Sequence, residues 1–432
     1  MKTLPLCCLG LVLFAFLTPD PCQRVVADDV TLHGVVRDTS DNILPGVQIA
    51  VVGTTLKAST DEDGRFVLAV DGSKPIELIF SKSGYQDAQL SLKDLGQRIE
   101  TKLVAITDDT GLITYSRSIS MSHSIGELRR DVEKYASREM DDELYREVVE
   151  RYGEKPSEEA VFRIYLPKGV AKVNGLFLIS EHGVGGPMME YPMVREFADR
   201  HRLALVGMLG NAVQRGVYPA STLDGVLVDI GDHVNHPEFG SVPVFTFGHS
   251  NGTGFSASYA AMRPDRVLGW VSFHSGGSWH LVFPGVEQVP GLVLHGNKDS
   301  YFDNGQADAV RMLRRERKAP IALLVDGESG HWPRDREATF SLVLRFCESC
   351  LRVRLPGVGS ASEGVAWRSE PLQPADIPSG WLGQAYDREA GGMQKLGIAT
   401  YADYQGDRET ANWLADETFA KSWQSYGASL EP

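Results

Sequence analysis

The chain changes its hydrophobic period as it runs. Between residues 30 and 103, apolar and polar positions alternate in 30–37, 47–52, 65–70 and 77–81, the period of half-buried strands. Turn chemistry separates these runs: Leu44-Pro45-Gly46, Asp63-Gly64, Asp71-Gly72 and Ser83-Gly84-Tyr85. Short strands with turns between them predict a small all-β sandwich over 28–105. In 125–152 the apolar positions Leu128, Val132, Tyr135, Leu144 and Val148 lie among Glu and Arg, which predicts a helical linker across 106–158. Past residue 160, unbroken apolar runs (160–166, 175–179, 203–207, 242–248, 267–273, 291–295, 321–325) alternate with helical stretches (191–201, 223–233, 252–262, 304–317, 336–351). That alternation predicts an α/β domain over 159–356, with a mostly parallel central sheet flanked by helices on both faces. The tail, 357–432, has no clear period but carries Trp367, Trp381, Trp413 and Trp423, so it is expected to pack on the preceding domain rather than fold alone.

The apolar run 9–17 stands apart from all of these. Lys2 precedes it and Val25-Val26-Ala27 follows, the arrangement of a secretory leader covering 1–27. The run is short for a membrane span, which needs about 18–20 apolar residues; an uncleaved anchor is the alternative. Once the leader is cleaved, no transmembrane segment is expected, and the protein is placed outside the cytoplasm, periplasmic or secreted. A hydrophobic content of 42% allows a large core, and the net charge of −14 repels phosphate backbones, so nucleic acid is not an expected partner. Three of the five cysteines lie in the leader, leaving Cys347 and Cys350. A CxxC pair without a second pair lacks the roughly four ligands of a zinc site. Because it sits within a helical stretch, the pair is read as structural, either buried thiols or a local disulfide.

The strongest chemical signal is Gly248-His249-Ser250-Asn251-Gly252, which joins an apolar run to a helical stretch. A serine on a sharp strand-to-helix turn needs small residues two positions away on either side, and the turn lifts its hydroxyl above the sheet edge. Ser250 is therefore the candidate nucleophile. A serine hydroxyl needs a base, and His331, on a loop after the last predicted strand, is the candidate. Asp299 follows the preceding strand and is the candidate acid, with Asp303 as its rival and Asp326 behind both. One oxyanion donor is expected from the N–H of Asn251, and the other from the glycine-rich loop Glu181-His182-Gly183-Val184-Gly185-Gly186, as either Val184 or Gly183. Trp279, Trp332 and His182 are candidates for the pocket wall. His274 and His280 lack an obvious carboxylate partner for a metal, and neither a metal nor an organic cofactor is expected.

Two resemblances follow from these residues. The segments LHGVVRDTSDNILPGVQIAVVGT, STDEDGRFVL and FSKSGYQDAQLSL resemble the carboxypeptidase regulatory-like domain family, which implies a prealbumin-like sandwich serving as an accessory module. The ordered set GHSNG, HGNKD and SGHW, over about 160–350, resembles the α/β-hydrolase superfamily. Within that superfamily the chain looks similar to secreted esterases related to polyhydroxybutyrate depolymerases and feruloyl or acetyl xylan esterases. This resemblance implies a serine esterase working through an acyl-enzyme on a small-molecule or polymeric ester, carbohydrate-linked esters among them. The N-terminal β module and the Trp-rich tail depart from the pattern. Two alternatives stand beside it: a serine peptidase of the same fold, and a non-catalytic protein that binds a surface or polymer.

Overall fold

The computed structural model describes residues 29–39, 41–73, 75–82, 85, 88–92, 95–105, 111–122, 146, 154–209, 220–275, 279–300, 305–355, 371–387 and 397–428. The expected leader, nearly all of the predicted helix 125–152, and Trp367 lie outside them.

Seven strands make the N-terminal unit: β1 (Asp29–Asp38), β2 (Gln48–Val51), β3 (Lys57–Ser59), β4 (Arg65–Asp71), β5 (Ile76–Ser81), β6 (Ala88–Leu92) and β7 (Ile99–Leu103). They form a three-stranded sheet, β4-β1-β7, and a four-stranded sheet, β3-β2-β5-β6. The period-two pattern becomes burial directly: β4 alternates exposed and buried residues, sending Phe66, Leu68 and Val70 inward to meet Ile49, Leu78 and Phe80. Phe66 meets Phe80 edge-on, with ring centroids 5.7 Å apart. The buried Thr60 hydroxyl donates to Leu44 O at 2.7 Å and accepts from Val47 N at 2.9 Å, fixing the Pro45-Gly46 turn between the sheets.

The second unit is built on eight strands: β8 (Ile113–Ser122), β9 (Glu154–Tyr165), β10 (Gly175–Ser180), β11 (Leu203–Leu209), β12 (Val244–His249), β13 (Val267–Phe273), β14 (Gly291–Gly296) and β15 (Ile321–Asp326). Their order in the sheet is β15-β14-β13-β12-β10-β11-β9-β8. Strands β10 to β15 run parallel, and β9 and β8 close one edge antiparallel. This order and these directions are those of the α/β-hydrolase fold. The helices are α1 (Gly185–Met188), α2 (Pro192–His201), α3 (Ala220–His233), α4 (Thr253–Met262), α5 (Gly305–Arg317) and α6 (Arg336–Arg354). Residues of α3, α4 and α5 share one core with one face of the sheet, whereas those of α2 and α6 share a second core on the opposite face. Strands covered on both sides bury every side chain, which is why β10, β12, β13, β14 and β15 read as unbroken apolar runs.

The reading of 106–158 as a helical linker is corrected at both of its ends. Residues 113–122 are strand β8, and 154–158 begin β9; the two pair from Ile113↔Ile164 to Ser122↔Glu154. The first half of β9 is polar, and β8 is an edge strand with Ile113 and Ile119 buried while Arg117 forms an ion pair with Asp229 of α3. Charge on a sheet edge weakens the apolar signal that marks a strand.

In the tail, β16 (Trp381–Gly383), β17 (Ile398–Thr400) and β18 (Asn412–Leu414) form a small antiparallel sheet, followed by helix α7 (Glu417–Ala428). Polar staples fasten this segment to the hydrolase sheet. Asn412 Oδ1 accepts the N–H of Leu323 in β15 at 2.7 Å, and its amide donates to Gln384 O at 2.8 Å. The buried Arg314 guanidinium donates to Ala411 O and Ala319 O at 2.6 and 2.7 Å. Trp413 and Trp423 are fully buried in the same core as α6. Replacing Asn412 with Ala strands a buried backbone N–H, and is expected to lower stability by about 1–3 kcal/mol, read as a lower urea midpoint with an unchanged m-value.

Candidate active site

The loops at the carboxyl ends of β10, β12, β13, β14 and β15 meet at one edge of the sheet. At the end of β12 the chain reverses sharply, with Ser250 held at φ 54°, in the left-handed region. A Cβ on Gly248 would sit 2.0 Å from Gly252 O, so the turn closes only with glycine there. Thr253 Oγ1 donates to Ser250 O at 2.6 Å, and every residue of α4 is buried, giving the turn a rigid seat. Asn251 lies in the first turn, where backbone N–H groups have no partner within the helix and carry its positive end.

Two further loops supply a paired acid and base. His331 Nδ1 lies 2.8 Å from Asp299 Oδ2, and the Asp299 carboxylate is wholly buried. The β14 and β15 loops are zipped together by Asn297 N–H to Asp326 O at 2.7 Å and Lys298 N–H to Ser329 O at 3.0 Å. Asp326 is spent within its own turn, accepting from the amides of Glu328 and Ser329 and from the Ser329 hydroxyl. Asp303 lies outside the described residues. The hydrogen bond formed by this trio is the one between His331 and Asp299; none joins Ser250 Oγ to His331 among the described residues, and such bonds often tighten only when substrate binds.

The same carboxylate faces two more buried rings. His274 Nδ1 and His295 Nδ1 lie 3.6 and 4.0 Å from Asp299 Oδ2, and His274 takes a left-handed backbone, φ 47°. His295 Nε2 donates to Ser275 O at 2.9 Å, which leaves Nδ1 to accept the Gly296 N–H at 3.1 Å. Burial holds His295 neutral, with its pKa pushed down to about 4. His280, beside Ser272 Oγ at 3.0 Å, is pushed down to about 3 by burial and by neighbouring His295.

The glycine-rich loop after β10 is anchored from below. Arg163 Nε reaches both Glu181 carboxylate oxygens at 2.9 and 2.8 Å, and its other nitrogens reach Gly186 O and Glu190, each at 3.1 Å. Burial lifts the Glu181 carboxyl above its usual range while the Arg163 guanidinium pulls it back. Sequence reading passed over both residues, although an arginine inside the apolar run Val161-Phe162-Arg163-Ile164 was a signal. Gly183 takes φ +60°, and a Cβ there would sit 1.8 Å from His249 Nδ1. The Val184 N–H donates to that same nitrogen at 2.9 Å. The Val184 amide, one of the two expected in this loop as an oxyanion donor, is thus engaged by the His249 ring.

Trp332 is 50% exposed, with its ring edge-on to His249 at 5.1 Å and the Arg336 guanidinium 5.8 Å over it. The His182 ring is 6.2 Å from His249. Trp279 opens a short 3-10 turn, Trp279–Val282, just after residues outside the described set. Cys347 and Cys350 are free and buried, and burial raises both thiols well above their usual range, so of the two structural alternatives they are buried thiols. No helix among the described residues is long and apolar enough to cross a membrane, and no cluster among them has the makings of a metal site.

Residues 32–112 match the family model of the CarboxypepD_reg-like domain. No curated protein matches the chain. Among solved structures it is similar to an alpha-beta serine hydrolase homologue from Coxiella burnetii, at 19% identity over 43% of this chain and 90% of that one, with a TM-score of 0.30. It is also similar to Est1E from Butyrivibrio proteoclasticus, at 13% identity over 45% of this chain and 95% of that one, with a TM-score of 0.32. A cohesin–X-dockerin complex from Acetivibrio cellulolyticus matches 18% of this chain and 57% of its own, little more than half its length, at 18% identity and a TM-score of 0.16. The fold assignment rests on strand order and direction rather than on these likenesses. The chain is a carboxypeptidase regulatory-like β-sandwich followed by an α/β-hydrolase fold.

Two outcomes follow from the buried groups. Cys347 and Cys350 are expected to resist Ellman's reagent in the native protein and to react once it is unfolded in denaturant. The buried rings of His249 (pushed down to about 3), His280 and His295 stay neutral when folded, so the unfolded chain binds more protons below an ordinary imidazole pKa. Their stabilisation is complete above about pH 6.5 and is lost as pH falls, by up to about 2 kcal/mol per ring at about pH 5. Urea midpoints measured between those two pH values, above the carboxylate range, should fall steadily; a flat response would contradict neutral rings.

Proposed function

We propose that this chain is an exported serine hydrolase that cleaves carboxylic esters, with Ser250 as nucleophile, His331 as base and Asp299 as the acid that orients it. The observation that carries this reading is the 2.8 Å bond between His331 Nδ1 and a wholly buried Asp299, formed on the same sheet edge as a serine held at φ 54°. With Nδ1–H committed to the carboxylate, Nε2 is left as the basic nitrogen, and the imidazolium formed during reaction is stabilised by the buried charge.

In this reaction His331 takes the Ser250 proton as the hydroxyl attacks the ester carbonyl. The oxyanion is received by the Asn251 N–H at the positive end of α4, with Gly183 as the second donor. His331 then protonates the leaving alcohol, and water repeats the attack to release the acid from the acyl-enzyme. The half-exposed Trp332 ring makes one wall for the substrate, with the His182 ring, also beside His249, as a further wall residue. The substrate is a small-molecule or polymeric ester, and the N-terminal sandwich is an accessory module. The leader read at residues 1–27 makes the enzyme periplasmic or secreted.

The test is p-nitrophenyl acetate hydrolysis together with fluorophosphonate labelling. Ser250→Ala is expected to abolish labelling and to lower kcat by at least about 10⁴-fold. Asp299→Asn, which preserves shape but not charge, is expected to lower kcat by about 10⁴-fold while labelling slows rather than vanishes. A folded wild type that neither turns over nor labels would refute the reading.

A further inference from the structure

The loops that carry Gly183 and His331 have no strand pairing in common. The first leaves β10 and the second leaves β15, and β12, β13 and β14 lie between those strands in the sheet. One side chain spans the gap. His249, at the end of β12 and fully buried, accepts the Val184 N–H on Nδ1 at 2.9 Å, while its Nε2 lies 2.9 Å from His331 O. A carbonyl only accepts, so Nε2 carries the proton and Nδ1 is bare: both partners demand the same tautomer. We propose that His249 is a positioning residue, a two-ended brace that holds the glycine loop and the His331 loop at a fixed separation on either side of Ser250.

Several observations separate a brace from a core filler. An apolar side chain of the same volume would leave the Val184 N–H and the His331 carbonyl without these partners. The loop conforms to the ring rather than the reverse, since no residue but glycine fits at position 183 against Nδ1. The ring also supports the pocket wall, with Trp332 edge-on at 5.1 Å and Phe273 at 5.2 Å on other sides. A second proton on the ring would set an N–H against the Val184 N–H. Burial, with His274, His331 and His182 nearby, opposes that proton and pushes the pKa down to about 3. Displacing either loop by about 1 Å changes the distance between oxyanion donor and base, and shifts of that size are worth about 10²-fold in rate.

The inference rests on the esterase reading for its kinetic consequence, but its geometry is testable without turnover. In wild-type protein labelled with ¹⁵N-histidine, the His249 ring should show a protonated Nε2 and a bare Nδ1 from pH 8 to 5; a proton on Nδ1 overturns the brace. Three substitutions then separate its ends. His249→Asn keeps an acceptor near the Nδ1 position, His249→Gln keeps a donor near the Nε2 position, and His249→Phe keeps volume alone. The expected result is a kcat about 10²-fold lower for Phe with KM within about threefold of wild type, and partial recovery by Asn and by Gln. A folded Phe variant with wild-type kcat, or Asn and Gln variants no better than Phe, overturns the proposal. Should the Phe variant not fold, the Asn and Gln variants and the ring spectrum still decide it. A wild type inert toward esters and fluorophosphonates removes the esterase reading and leaves the ring spectrum to judge the brace.

Discussion

A carboxylate removed from water has to be surrounded by donors, and Asp299 imposes that requirement on the whole upper edge of the sheet. Its side chain is wholly buried, and three imidazoles, from His331, His274 and His295, lie within 4.0 Å of one of its oxygens. These rings come from the ends of three different strands, so three loops meet around one carboxylate, to which His331 Nδ1 donates at 2.8 Å. The zipping of the β14 and β15 loops by backbone hydrogen bonds makes that convergence rigid, and it fixes the ring of His331 by its Nδ1. An unstructured loop histidine would have neither a set tautomer nor a set direction.

Close backbone approach is the second constraint, and histidines exploit it. Glycine at 183, 248 and 296 lets chain pass within van der Waals contact of a ring, a helix start and a neighbouring loop, respectively. Into that compact edge the fold places imidazoles that are buried and held neutral, each with partners that dictate which nitrogen bears the proton. Neutral histidine suits this role because one ring offers both an acceptor and a donor about 2 Å apart without bringing charge beside the oxyanion site. The consequence is a site whose architecture depends on staying above the pH at which those rings charge.

Beneath this edge the support is ionic and hydrophobic. The Arg163–Glu181 pair fastens the root of the glycine loop to β9 on the antiparallel side of the sheet. On the opposite flank, Asn412 and the buried Arg314 fasten the tail to β15 and α5 through backbone carbonyls and an amide. Trp413 and Trp423 of the tail extend the core that α6 shares with the sheet, which makes this segment part of the same packed body.

By itself, the sequence determined whatever depends on local period and local sterics. Alternation gave the β-sandwich, unbroken apolar runs gave strands buried on both faces, and the glycines two positions either side of Ser250 marked a turn that few other sequences could make. It also put Ser250, Asp299 and His331 after three different strands, and the structure brings Asp299 and His331 into direct contact. Only the tertiary structure decided what depends on which distant loops meet. The polar half of β9 and the edge strand β8 are strands because a partner is there to pair with, and their own residues carry little sign of it. That the Val184 amide meets a ring from another strand is likewise set by the assembled chain. Nothing in the sequence marked the two ties of His249, and it left Cys347 and Cys350 as thiols or a disulfide, because hydrogen-bond partners and burial are properties of the assembled chain, where groups 65 and 82 positions apart come within 3 Å.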